Sequence, residues 1–173
     1  MEANNKLDVK LVLALAIALA ALYLPSAVFA KDAVGIPKAV PFDDTIEVPP
    51  AVRRECKLPE KTASFIKKYG KKNVEFVESP NGEGQYLEMS ITEVHALGGG
   101  AFSGPKWMEV TGHLMENGSR VASFRAKRFS TGGAFAEFKG TCAIIGRCTK
   151  AIGKDIARWL KNPVDGAALG DAR

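Results

Sequence analysis

The sequence predicts an α+β domain: a mainly antiparallel sheet of four or five strands with two helices packed on one face. Three observations carry that class. Three central stretches, 86–96, 106–115 and 119–131, alternate apolar and polar residues as half-buried strands do. Two others, 59–69 and 142–160, repeat their apolar residues at helical spacing. Turn chemistry lies between them, at 79–85 (SPNGEGQ) and at Glu116-Asn117-Gly118.

Residues 1–30 read as an address rather than as part of the domain. A short polar start is followed by an apolar run over 11–24, then Pro25, Ser26 and the small-residue site Val28-Phe29-Ala30. This is the three-part layout of a secretory signal, and the run is short for a membrane span, which takes about 20 residues. Cleavage after Ala30 is expected, releasing a periplasmic chain; retention as an anchor is the alternative. Residues 31–44 contain proline and glycine without period and read as a flexible leader. The domain is expected to occupy 45–163, with 164–173 a disordered tail.

Within it, 45–48 (TIEV) reads as a short strand. The helix over 59–69 has Pro59 in its first turn and Gly70 as its stop. A short strand follows at 74–77. The hairpin that joins 106–115 to 119–131 admits two registers. A two-residue Asn-Gly turn would pair Val110 with Arg125 and Met108 with Lys127, mixing core and charge on one face. A three-residue loop with a bulge at Gly118 pairs Val110 with Phe124, Met108 with Ala126 and Glu109 with Arg125; it separates core from solvent and is the expected register. On the last helix, with Thr141 as N-cap, Ile145, Ile152, Ile156 and Trp159 form an apolar stripe. Gly146, Thr149, Gly153 and Ala157 form an adjacent stripe of small residues, which predicts close approach to another backbone. Arg147, Lys150, Lys154, Arg158 and Lys161 line the opposite side.

Composition narrows the function. The chain carries a formal net charge of +5 and neither a block of like charge nor a nucleic-acid motif, so no nucleic-acid partner is expected. His95 and His113 stand alone in strands, outside metal-ligand spacing, and read as surface residues; no metal and no cofactor are expected. Catalysis finds no support. There is no Gly-x-Ser-x-Gly elbow, Asp43 and Asp44 are neighbours in a leader, and Cys148 has only Arg147 beside it. Two features suggest binding. Gly99-Gly100-Ala101-Phe102 and Gly132-Gly133-Ala134-Phe135 repeat after two strands that run the same way, which brings Gly99, Gly100, Phe102, Gly132, Gly133 and Phe135 to one end of the sheet. They lack the spacing of a nucleotide loop. The second feature is the cationic stripe of Arg147, Lys150, Lys154 and Arg158, which suits an anionic lipid or glycan. Their ordinary readings are glycine-relieved corners and a solvated helix face.

The order GGGAFSGPK, hairpin with ENG, TGGAFAEFKGTC and CAIIGRCTKAIGKDIARWL resembles a functionally uncharacterised group of small proteobacterial periplasmic proteins, over roughly 55–163. More loosely it is similar to envelope lipoproteins related to the curli secretion factor's periplasmic domain, although this chain lacks a lipidated cysteine. The resemblance implies a non-enzymatic accessory or assembly role in the envelope and carries over no catalytic residue. Two function classes follow: a protein-interaction module working through the glycine-loop end or a sheet edge, and a binder of an anionic small molecule, lipid or glycan through the basic helix face.

Cysteine pairing completes the reading. Cys142 and Cys148 lie six apart on one helix and cannot pair, so Cys56 takes one of them. Counting strands with TIEV included favours Cys148. The resemblance, and the habit of bridges to tie loops to helix starts, favour Cys142. The expectation is Cys56–Cys142, with Cys148 free and buried.

Overall fold

The computed structural model describes residues 33–78, 83–97, 104–131 and 140–172. The expected signal and both Gly-Gly-Ala-Phe segments lie outside them. In order the elements are β1 (Val34–Ile36), α1 (Pro50–Glu55), α2 (Leu58–Gly70), β2 (Val74–Phe76), β3 (Gln85–His95), β4 (Lys106–Glu116), β5 (Ser119–Ser130), α3 (Thr141–Trp159) and β6 (Ala167–Gly170). The sheet has six strands in the order β2-β1-β3-β4-β5-β6. Its long central strands β3, β4 and β5 are antiparallel, whereas β1, β2 and β6 join in parallel. The expected class is thus met at the centre and corrected at the edges: the sheet is mixed, and there are three helices among the described residues rather than two.

The central strands follow from their alternation. Leu87, Met89, Ile91, Met108, Val110, Leu114, Ala122, Phe124 and Ala126 are buried, while their neighbours in sequence are mostly less so. The hairpin corrects the expected register. Asn117 and Gly118 both have positive φ, 49° and 79°, and Glu116 pairs with Ser119. This is the two-residue turn whose twist matches the strands. A bulge then places Val121 as an extra residue on β5, so Val110 meets Ala126 and Glu109 meets Lys127. The bulge does what a three-residue loop was expected to do, returning apolar residues to one face. At Gly112, opposite Phe124, a Cβ would lie 2.7 Å from the ring and 2.7 Å from the Glu88 carbonyl, so the core excludes a side chain there.

The helices cover the apolar face. Ile145, Ile152 and Ile156 of α3 are fully buried, and Trp159 meets the Phe124 ring at 5.0 Å. α2 packs against α3 at Gly153, where a Cβ would lie 2.5 Å from Phe65 Cβ and 3.1 Å from the Ile66 nitrogen. Thr149 and Ala157 are buried too, but a Cβ on Gly146 would meet nothing within 4 Å. The small-residue stripe therefore makes its close approach at Gly153 and not at Gly146. The N-cap of α3 is Gly140 and not Thr141.

Both presumed loose ends are part of the sheet. The leader supplies β1, and a bridge joins Phe42 to Ile91. TIEV is not a strand: Asp43 caps a turn through the Thr45 N–H and hydroxyl, and the chain leaves the sheet. The tail supplies β6, pinned from several sides. Arg128 pairs with buried Asp155 at 2.7 Å and with Asp171 at 3.2 Å; Arg125 donates to the Ala172 carbonyl and Ser123 to Asp165. The tail sequence is short and glycine-containing, so its pairing depends on these distant partners and leaves no local period.

Cys56 and Cys142 form a disulfide with Cα atoms 4.9 Å apart, and Cys148 is a free, buried thiol. Strand counting misled because TIEV is not a strand and because α1 carries the chain to Cys56 beside the start of α3.

Candidate functional site

The outer side of the helical layer is the first candidate. Arg147, Lys150, Lys154 and Arg158 on α3, and Lys161 just past its end, are all exposed, with the spacing that keeps residues on one side of a helix. A second row, which the sequence reading did not connect with the first, runs along α1, α2 and the turn after them. Arg53, Arg54, Lys57, Lys68, Lys71 and Lys72 are exposed, and Lys61 and Lys67 half-buried. Because α2 lies directly on α3, the rows belong to one layer. Residues 50–73 and 141–161 together hold thirteen Lys and Arg against Glu55, Glu60 and Asp155, a net of +10. The whole chain is +5, so everything else sums to −5. The signal that could have revealed this was the charge of each predicted layer, not the modest charge of the chain. Within the layer Arg158 has an acidic neighbour, Asp155, at 3.5 Å.

The second candidate is a groove of about 580 Å³ at the C-terminal end of β3. Residues 94–97 form one wall, residues 46–50 the other, and Arg53 stands over it. Arg53 is steadied over the Phe42 ring, 4.6 Å from its centroid. A neighbouring hollow of about 500 Å³ shares Pro49 and Ala96 with the groove and runs toward the disulfide and Gly140. Leu97, 60% exposed, sits at the end of the strand. Its carbonyl accepts a hydrogen bond at 2.9 Å from Lys106, whose whole side chain is buried and whose ammonium burial pushes to a lower pKa.

On the face of the sheet away from the helices, three rings meet across three strands: His95 stacks on Trp107 at 3.6 Å, and Phe129 meets Trp107 at a tilt, 5.5 Å between centroids. Lys127 lies over the stack and pairs with Glu93; Glu109 is 3.8 Å from it. Burial works to raise the Glu93 pKa, but hydrogen bonds from Lys127 and from the Trp107 indole outweigh it and hold the carboxyl below the usual range. His95 is thus half-buried in a stack rather than a plain surface residue, and it borders the groove. The described residues contain no cluster of His, Cys, Asp and Glu able to hold a metal.

Of the residues expected to bind, the structure brings together the cationic set. Gly99, Gly100, Phe102, Gly132, Gly133 and Phe135 lie outside the described residues. No family model matches the chain, and no curated protein matches it. Among solved structures it is similar to PelC dodecamers from Paraburkholderia phytofirmans. One, a point variant, is 13% identical with a TM-score of 0.41, covering 70% of this chain and 89% of that one. The other is 12% identical with a TM-score of 0.40, covering 69% and 86%.

Proposed function

We propose that the chain is a non-enzymatic accessory domain of the periplasm that binds an anionic lipid or glycan through its helical layer. The observation that carries this reading is the partition of charge: +10 on the helical elements against −5 for the rest. A modest net charge spread evenly would only aid solubility; the same charge gathered on one layer makes a field that draws in a polyanion. Each Lys or Arg brought close to an anionic membrane contributes about 1 kcal/mol, and several acting together suffice for reversible binding. Among the described residues the large exposed apolar side chains Phe76, Leu97, Val121, Phe129 and Val164 all lie outside the helices, which favours an electrostatic contact at the helical layer. The expected signal over residues 1–30 and the Cys56–Cys142 disulfide support an oxidising, extracytoplasmic setting.

Sedimentation with vesicles tests the reading. Protein should pellet with phosphatidylglycerol vesicles at low salt, stay in solution with phosphatidylcholine, and be released by a few tenths molar salt as screening shortens the reach of the charges. A soluble anionic polysaccharide that competes at equal charge concentration would assign the ligand to glycans. Lys150→Glu with Lys154→Glu takes the layer from +10 to +6 and should weaken binding markedly while leaving the fold intact. Equal binding to both vesicle types, or binding indifferent to salt, would overturn the proposal.

A further inference from the structure

We propose that the C-terminal edge of β3 receives an extended polypeptide as an added strand, laid in the groove between residues 94–97 and 46–50. The inference does not depend on the cationic layer. β3 is interior to the sheet, yet its outer edge is covered for only part of its length. β1 meets it through Gly35 and Tyr86. Further along, the Ile91 N–H donates to the Pro41 carbonyl at 2.8 Å, and the Ile91 carbonyl accepts from Asp43 at 2.9 Å. There the covering chain departs, because Asp43 turns it away. Past Ile91, β3 has no strand paired on that side among the described residues.

The alternation of the ladder says which groups are left. In an antiparallel pair, successive residues turn their N–H and C=O toward the partner strand and away from it. Ile91 turns away from β4. The bulge between Ile91 and Glu93 inserts Thr92, after which Glu93, Val94 and His95 pair with Glu109, Met108 and Trp107. Glu93 and His95 therefore bond toward β4, and Val94 presents its backbone groups to the groove; carried one step past the strand, the same alternation does so for Ala96, which lines the groove too. Val94 and Ala96 are themselves largely buried, so what the groove offers is an unpaired edge set into its wall, and an unpaired edge is a template for another chain.

The far wall leaves that edge open. Pro49 and Pro50 have no N–H to offer, the Pro49 carbonyl already accepts from Arg53, and the Ile46 N–H is taken by the Asp43 carbonyl. The groove thus has one hydrogen-bonding wall and one largely apolar wall. Backbone donors and acceptors at strand spacing on one side fit an extended polypeptide, the mode in which main-chain bonds supply affinity and alternate side chains supply selectivity. Val94, Ala96, Ile46 and Val48 favour apolar residues at every second position. Arg53 favours a carboxylate over its end of the groove.

Nuclear magnetic resonance on the full domain tests this, in about 0.3 M salt so that long-range charge contacts are screened. Without any ligand, the Val94 and Ala96 amides should exchange with solvent much faster than those of Glu93 and His95. The probe is a short capped peptide of alternating valine and threonine with one glutamate. Titration should shift the Val94 and Ala96 resonances and protect both amides. Two further peptides, N-methylated on alternate bonds in opposite phase, keep the same side chains. One phase should lose affinity by about tenfold or more, since the bonds to the edge are blocked, and the other should bind like the parent. Protection of Val94 and Ala96 without peptide would overturn the proposal. So would unmoved resonances at millimolar peptide, or equal binding by both methylated forms.

Discussion

The two glycines of α3 should respond differently to the same substitution. Gly146→Ala and Gly153→Ala add the same methyl to the same helix, seven residues apart, so the gain in helix propensity, about 1 kcal/mol, is common to both. Their surroundings differ. At Gly146 a Cβ meets nothing within 4 Å, and the variant should be stabilised by up to about 1 kcal/mol. At Gly153 the Cβ would lie 2.5 Å from Phe65 Cβ and 3.0 Å from the Phe65 carbonyl carbon. Carbon atoms settle at about 3.5–4.0 Å, so α2 must retreat by about 1 Å along a contact made of backbone, which cannot rotate aside. Overpacking of this kind costs about 1–3 kcal/mol, which cancels or exceeds the propensity gain. The difference between the two variants isolates the packing cost at about 1–3 kcal/mol, and Gly153→Leu should lie at the upper end or beyond. Urea unfolding at equal slope reads it directly. With a slope of about 1–3 kcal/mol per molar, the midpoints should part by several tenths molar or more. Coincident midpoints, or a more stable Gly153→Ala, would refute the claim that this glycine sets the distance between α2 and α3.

Other outcomes follow from single features. Replacing Cys56 and Cys142 by serine opens a loop spanning 86 residues and should cost about 2–5 kcal/mol; peptide mapping without reductant should recover the Cys56–Cys142 pair, and a Cys56–Cys148 peptide would contradict it. Asp155→Asn removes the buried partner of Arg128, which is 31% exposed, so the loss is that of a partly screened pair, about 1–2 kcal/mol. It should appear first as faster amide exchange in β6, and unchanged exchange there would mean the tail is held otherwise. Burial pushes the Cys148 thiol up to about 11. The unfolded thiol ionises first, so this contribution to stability is whole below about pH 8.5 and is lost as pH rises toward 11. The decline should vanish in Cys148→Ala, and the native thiol should resist alkylation at pH 8.

What could be read in the sequence was what repeats locally. β3, β4, β5, α2 and α3 announce themselves because alternation and helical spacing persist for ten residues or more. Val34–Ile36 and Ala167–Gly170 are three and four residues long, too short to show a period. They are strands because a long strand offers each a parallel edge and because Arg128 and Arg125 hold the end of the tail. The hairpin failed for a different reason. The need to separate core from solvent was inferred correctly, but a bulge at Val121 and a longer turn satisfy it equally, and pattern alone does not choose between them. The cationic row of α3 was legible from its spacing; its union with that of α2 was not, because adjacency of two helices is a tertiary fact. The groove beside β3 depends on where the chain departs after Asp43, and reading TIEV as a strand would have closed it.

The two proposed binding surfaces divide the molecule between them. The cationic rows lie on the outer side of the helices, which face away from the sheet they cover. The groove is lined by β3 and the chain leading into α1, and of the exposed cations on the helices Arg53 alone also lines it. A flat anionic surface met through Lys68, Lys150, Lys154 and Arg158 therefore does not require the groove, and a strand added beside Val94 and Ala96 does not cover those cations. The energetics differ as well. Contact through the helices falls with salt, whereas hydrogen bonds along β3 form in a sheltered slot and are screened far less. Such a domain can be concentrated at an anionic boundary by one face and engage a polypeptide there by another. Salt then separates the two activities: at a few tenths molar the vesicles should be released while the peptide stays bound. If salt released both together, a single surface would be responsible, and the division between helix layer and strand edge would fall.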